Sequence, residues 1–331
     1  MPAQLTQASW PQLLGSPNLA LLQAGLPGEE PGAIEGLPLG FAAADGALLH
    51  GRVFEPSGAA RAVAVLAPAT GVPQRYYQAF AQWLAARGYA VLSFDYRGMG
   101  ASRSARGGKA SMRDWIRSDL SAALAAARER AGRGPQRLPI LWVGHSLGGN
   151  GLPMVDGLMH LDAAITVGSQ FGYWGLWPAG WHRTVTRVFF SHWVPLCVRL
   201  TGRLPGWALG GGETLPGPAA MDWSRWGRSA GYFTDDPACR DWYRPQDFKG
   251  QLQLWSVADD LTYGPAPAVD ALARCFEHAA ERVERIHLHP QEIGLKRLGH
   301  FGPFRRAAGE RLWPLLLERI EAKVPALRPG Y

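Results

Sequence analysis

The hexapeptide Gly144-His145-Ser146-Leu147-Gly148-Gly149 directly follows the apolar run Ile140 to Val143 and precedes Gly148 to Leu158, a segment that can be helical. A G-x-S-x-G pentapeptide between a strand and a helix holds its serine on a sharp, strained turn and lifts the hydroxyl above the edge of a sheet. Small residues on either side let the backbone pass. With 41 glycines in the chain such a pentapeptide can arise by chance, and a serine in a glycine-rich loop is ordinarily just a turn residue. The strand before it and the helix after it make Ser146 a candidate nucleophile, with His145 read as structural.

A hydroxyl is a weak nucleophile at neutral pH and needs a general base. Near the C-terminus, Leu298-Gly299-His300-Phe301-Gly302 sets an imidazole between two glycines, after the run Arg285 to Leu288 and before a last helix at Arg305 to Ala322. His287 and His289 belong to the strand, and His182 and His192 to the aromatic middle of the chain, so His300 is the candidate base. A carboxylate must then hold that base in one tautomer. The run Leu252 to Val257 ends in Ala258-Asp259-Asp260, followed by Tyr263-Gly264-Pro265. Either acid can turn toward His300, with Asp260 favoured over Asp259. Alternatively, both acids cap a helix that starts near Pro265.

Attack on an acyl carbon creates an oxyanion, which needs backbone N–H donors aimed at it in advance. The amide of Leu147 is one candidate. The second is expected from Pro68-Ala69-Thr70-Gly71, after the run Ala62 to Ala67, with Thr70 chosen and Ala69 the near alternative.

These residues need a scaffold that brings distant loops to one edge. Leu39 to Ala43 and Leu48 to Phe54, separated by Asp45-Gly46, read as an opening hairpin. Apolar runs recur at Ala62 to Ala67, Ala90 to Phe94, Pro139 to Val143, Ala163 to Val167, Leu252 to Val257 and Arg285 to Leu288. Several are apolar on both faces, as strands covered by helices on either side should be. Between them lie stretches of helical period, among them Tyr76 to Arg87, and a long helix from a capping-box-like start at Ser111 and Asp114 through Arg130. The alternation predicts an α/β fold with a mostly parallel sheet of about eight strands and helices on both faces.

Domain boundaries follow from the breaks in that pattern. Residues 1–36 read as a loosely packed extension, residues 37–170 and 251–331 as the core, and residues 171–250 as an inserted lid. The lid holds Trp174, Trp177, Trp181, Trp193, Trp207, Trp223, Trp226 and Trp242, more than half of the 14 tryptophans. Such rings either line an apolar pocket or pack the insertion on the sheet.

The net charge of +7 comes almost wholly from scattered arginines, without a basic stripe or tail, so nucleic-acid binding is not expected. Cys197, Cys239 and Cys275 lie too far apart in sequence for a metal site or redox pair, and no metal or cofactor is expected. No positive leader precedes an apolar stretch, and the longest apolar run, Val188 to Val198, is short for a membrane span. A cytoplasmic location is therefore expected. Arg183, Arg187, Arg199 and Arg203 flank that run, which admits contact with a membrane surface, set below the reading of an ordinary lid helix. Oligomeric state is not legible.

Taken together, Gly144 to Gly149, the segment Asp95-Tyr96-Arg97-Gly98-Met99-Gly100-Ala101-Ser102 and the block from Gly299 to Arg305 resemble the α/β-hydrolases of the lipase, esterase and serine-aminopeptidase type. The likeness runs from about residue 37 to residue 322. It implies Ser146, Asp260 and His300 as a triad, in the chain order Ser, Asp, His of that fold. It also implies hydrolysis of a small-molecule ester, or of a thioester or amide, with an acyltransferase or a catalytically idle ligand-binding homologue as rivals. Pro68 to Gly71 replaces the HG or HGGG segment of many lipases and esterases. In Asp95 to Ser102 the glycines are read as turn formers and Asp95 as a local hydrogen-bond acceptor.

Overall fold

Every residue of Ala62–Ala67 is buried, a pattern that only a sheet covered on both faces accommodates. The computed structural model describes residues 34–104 and 109–328, so the extension read over residues 1–36 lies outside the described residues as far as residue 33. The strands are β1 (Gly36–Ala42), β2 (Leu48–Phe54), β3 (Ala62–Ala67), β4 (Tyr89–Phe94), β5 (Ile140–His145), β6 (Ala163–Val167), β7 (Arg203–Leu204), β8 (Leu215–Pro216), β9 (Gln251–Val257) and β10 (Val283–Leu288). Eight of them form one sheet in the order β1-β2-β4-β3-β5-β6-β9-β10, while β7 and β8 pair only with each other. The pairs β1–β2 and β2–β4 are antiparallel and all others in the large sheet are parallel.

Alternation along each strand divides the core into two layers. Val63, Val65, Ile140 and Trp142 face one side with Trp115, Leu120 and Leu124. Ala64, Leu66, Leu141 and Val143 face the other with Phe80, Leu84, Trp313 and Leu316. The helices are α1 (Gln78–Ala85), α2 (Leu120–Ala131), α3 (Leu147–Asn150), α4 (Trp181–Val188), α5 (Val194–Thr201), α6 (Gly217–Gly227), α7 (Ala266–Ala273) and α8 (Arg306–Lys323).

Three helices differ from the sequence expectation. The helix after Ser146 stops at Asn150 rather than running to Leu158. Pro153 lacks an N–H to continue the ladder and Gly157 turns left-handed at φ 86°, so the chain there makes only short 3-10 turns. The Ser111 cap does form, with Ser111 N–H donating to Asp114 and Asp114 N–H to the Ser111 hydroxyl. A π turn at Asp114–Asp119 then precedes α2. A 3-10 turn at Gln74–Tyr77 opens the segment that α1 completes.

The segment between β6 and β9 carries α4, α5, α6 and the β7–β8 hairpin. Its aromatic rings divide. Trp177 and Trp226 are buried, whereas Trp181 and Trp207 are exposed, so burial alone does not account for them.

A buried ion pair ties the turn after β4 to the start of α2. Arg97 Nε lies 2.7 Å from Asp119 Oδ1, both side chains fully buried, and the Arg97 amide donates to Asp119 Oδ2 at 2.9 Å. The same guanidinium reaches Asp45 in the β1–β2 turn at 2.6 Å. Removing one partner of such a pair leaves an uncompensated charge, at a cost of about 3–5 kcal/mol. Asp119→Ala is expected to lose that much in urea unfolding, and Arg97→Met in the same chain to recover part of it; equal stability of Asp119→Ala and wild type would contradict this account.

Candidate active site

The turn after β5 is shaped by what its glycines must pass. A Cβ on Gly148 would sit 2.0 Å from the Ala67 carbonyl oxygen of β3, so only glycine lets α3 approach the sheet so closely. Trp142 on β5 donates its indole N–H to the Gly148 carbonyl at 2.8 Å, which fixes the turn from below. Ser146 is thereby held at φ 50° and ψ −111°, a region that non-glycine residues seldom occupy and that costs on the order of 1–3 kcal/mol.

His300 comes to the same edge from the loop before α8. Its Nδ1 lies 2.6 Å from Asp260 Oδ2, and both side chains are buried. Asp259, the other acid considered from sequence, does different work. It accepts from the Leu298 amide at 2.9 Å and the Gly299 amide at 2.8 Å, and so anchors the loop that carries His300. Neither acid caps α7, whose N-cap is Pro265. Asp260 Oδ1 instead accepts from the Tyr263 amide at 3.1 Å. Gly168, at φ 60°, leaves room for the imidazole, since a Cβ there would lie 3.0 Å from His300 Cε1 and Nδ1.

Ser146 joins this group through its neighbour, whose ring centroid is 4.8 Å from that of His300. Among the described residues no hydrogen bond links the Ser146 hydroxyl to His300, an arrangement common before substrate tightens such a site. With Nδ1 committed to Asp260, Nε2 is the nitrogen of His300 with no hydrogen-bond partner among the described residues.

His145 is buried and fully bonded. Its Nε2 lies 3.0 Å from the His300 carbonyl oxygen and its Nδ1 lies 2.8 Å from the Tyr77 hydroxyl, which also accepts from the Ala69 amide at 2.9 Å. A carbonyl can only accept, so Nε2 carries the proton; Nδ1 accepts from the Tyr77 O–H. This chain of bonds stitches three loops together: the one bearing Ala69 and Thr70, the turn bearing Ser146 and the one bearing His300. It also uses up the Ala69 amide, whereas the Thr70 amide has no partner among the described residues. Leu147 opens α3, where the first amides have no intrahelical acceptor.

The sequence reading of His145 as structural agrees with this geometry but misses its partners. Tyr77 falls in a stretch of helical period and gives no local sign of reaching the sheet edge. Asp95 behaves as read, accepting from the amides of Gln74 and Ala101 and from the Gln74 side chain.

Burial, reinforced by the nearby His300, holds the His145 imidazole well below the ordinary histidine range. The unfolded chain binds a proton there near pH 6.5 and the folded protein does not, so stability falls as pH drops below about 6.5, by up to about 1.4 kcal/mol per unit. Unfolding free energies measured between pH 7 and pH 5 are expected to fall less steeply in His145→Gln than in wild type. An identical slope would remove His145 as the cause.

Residues 58–246, more than half of the chain, match the family described as serine aminopeptidase, S33. No curated protein matches the sequence. Among solved structures, an esterase from Pyrococcus furiosus is similar over 91% of this chain and 96% of its own, at 16% identity and a TM-score of 0.58. A soluble variant of the monoglyceride lipase of Saccharomyces cerevisiae aligns over 92% and 97%, at 13% identity and a TM-score of 0.61. Brefeldin A esterase, a bacterial homologue of human hormone-sensitive lipase, aligns over 93% and 82%, at 16% identity and a TM-score of 0.59. At these identities the structural likeness establishes the fold, and the family match supplies the class. The chain belongs to the serine aminopeptidase, S33 family and is a serine hydrolase of the α/β-hydrolase fold.

Proposed function

We propose that the chain hydrolyses a carboxylic ester through an acyl-enzyme on Ser146. The observation that carries this reading is the buried 2.6 Å contact between His300 Nδ1 and Asp260, at the edge where Ser146 is held in a strained conformation. In the proposed reaction, Ser146 Oγ attacks the acyl carbon as its proton passes to His300 Nε2. Asp260 holds the imidazole in orientation and stabilises the imidazolium. The amides of Leu147 and Thr70 receive the oxyanion; each such donor is worth about 10² to 10³ in rate. Collapse breaks the ester C–O bond, and His300 gives its proton to the departing alcohol. Water, activated by the same base, then releases the acid.

The choice of ester hydrolysis over removal of a free N-terminal residue rests on charge. An aminopeptidase must hold the substrate's α-ammonium group, and a cation removed from water needs an anionic partner. From Ala163 to Gly212 the sequence has no Asp or Glu. Carboxylates at this edge are already engaged: Asp260 by His300, Asp259 by two amides, and Glu213 by the Gly100 amide and the Arg75 and Arg103 side chains. The buried aromatic residues of the 171–250 segment, as distinct from the exposed Trp181 and Trp207, favour an apolar acyl group or an aromatic alcohol, in keeping with the names of the esterases and lipase of similar fold.

A series of p-nitrophenyl esters of rising chain length tests the reading. Ser146→Ala is expected to lower kcat by at least about 10⁴ and to abolish labelling by a fluorophosphonate, and Asp260→Asn to lower kcat by about 10⁴ with little change in KM. Undiminished ester hydrolysis by Ser146→Ala, or labelling at another residue, would sink it.

A further inference from the structure

We propose that the outer face of the segment between β6 and α6 docks on an anionic phospholipid surface. The region from α4 through the π turn Phe189–Trp193 to α5 forms one helical path. Its outward positions hold Trp181, Arg187, His192, Leu196, Arg199 and Leu200, followed by Arg203 and Trp207. The apolar members are unusually open for their size: Leu200 is 74% exposed, Trp207 63%, Trp181 55% and Leu196 50%. Scattered exposed apolar residues need no explanation, but these four fall on one short stretch of chain interleaved with cations.

Charge identifies the partner. The stretch from Ala163 to Gly212 carries four arginines and no acid. Among the described residues Arg183, Arg187, Arg199 and Arg203 form no ion pair; Arg183 donates to the Trp177 carbonyl and Arg187 lies over the Trp174 ring at 5.2 Å. Arginines elsewhere do find carboxylates, as Arg61 does with Glu321, Arg130 with Glu55 and Arg285 with Asp270. A face with unpaired guanidinium groups beside exposed Trp and Leu suits a partner that offers fixed negative charge above an apolar layer. A bilayer containing anionic lipid offers both, with each arginine near the surface adding a factor of about five in affinity.

The face also sits over the catalytic rim. At one end the Trp177 indole donates to the Thr262 carbonyl at 2.8 Å, on the loop that follows Asp260. At the other end Glu213 N–H donates to the Gly71 carbonyl at 2.8 Å, and Leu209 and Leu215 crowd Gly71, next to Thr70. A bilayer against the outer face therefore brings the site to the lipid boundary. Docking does not depend on the ester reading, because it uses none of the residues assigned to chemistry.

The test is cosedimentation of the full chain with phosphatidylcholine vesicles containing 30% phosphatidylglycerol, beside pure phosphatidylcholine vesicles and soluble heparin. Binding is expected to the anionic vesicles at low salt, weakening as salt rises, and not to neutral ones. Arg199→Ser with Arg203→Ser should lower the partition coefficient about 30-fold. Leu200→Ser with Trp207→Ser should lower it at least about 10-fold, while turnover of a short soluble p-nitrophenyl ester stays at the wild-type rate in both. Ser146→Ala should bind vesicles as wild type does, which separates failure of docking from failure of the catalytic reading. No association with anionic vesicles, equal association with neutral ones, or insensitivity to Leu200→Ser with Trp207→Ser would overturn the proposal. Heparin binding that is as tight as vesicle binding and indifferent to those apolar changes would replace the bilayer with a soluble polyanion.

Discussion

The contact that orders this molecule is the one between His300 and Asp260. Neither group belongs in an apolar interior alone, because a carboxylate or an imidazolium removed from water has to be matched by a hydrogen-bonded partner. The two sit on loops forty positions apart in sequence, one after β9 and one after β10, and the sheet must bring both loops to one edge before the pair can form. Parallel strands do this by construction, since every strand ends at the same side and each crossover returns outside the sheet. The architecture is in that sense a device for aligning strand ends, and the pair is where the alignment is used.

Around it, the rim is fastened by hydrogen bonds whose direction is dictated by chemistry. Asp259 anchors the loop that carries His300 by two amides, while the Tyr77 hydroxyl sits between the Ala69 amide and the His145 ring. Two adjacent acids thus have separate duties, Asp260 toward the His300 ring and the Tyr263 amide and Asp259 toward two amides of the loop before His300. At the end of β4, Arg97 binds the opening hairpin and the approach to α2 to the turn that follows that strand. Its charge is fully buried and is compensated from two elements at once, so the N-terminal hairpin is held electrostatically as well as by strand pairing.

Much of this was readable from the chain, for a physical reason: steep local constraints leave local marks. An elbow that lets a helix press on a carbonyl must be glycine at Gly148, and a strand covered on both faces must be apolar throughout, so both were legible. The sequence only favours Asp260 over Asp259, because neighbouring residues at a strand end point apart and their separate partners lie at residues 298–300. The preference between Thr70 and Ala69 turns on the Tyr77 hydroxyl, which arrives from a different element and leaves no trace beside either residue. The overlong helix after Ser146 reflects the opposite weakness, since apolar spacing persisted there while Pro153 and Gly157 removed the backbone geometry that a helix needs.

The bonding of His145 has a bearing on chemical labelling. Both of its ring nitrogens are occupied, one as donor and one as acceptor, and the ring is sealed from solvent. An electrophile that acylates histidine meets no free lone pair on it. Two imidazoles less than 5 Å apart are therefore chemically distinguishable, one with only its Nδ1 engaged by a side chain and the other engaged at both nitrogens, serving the protein as a spacer with a fixed polarity.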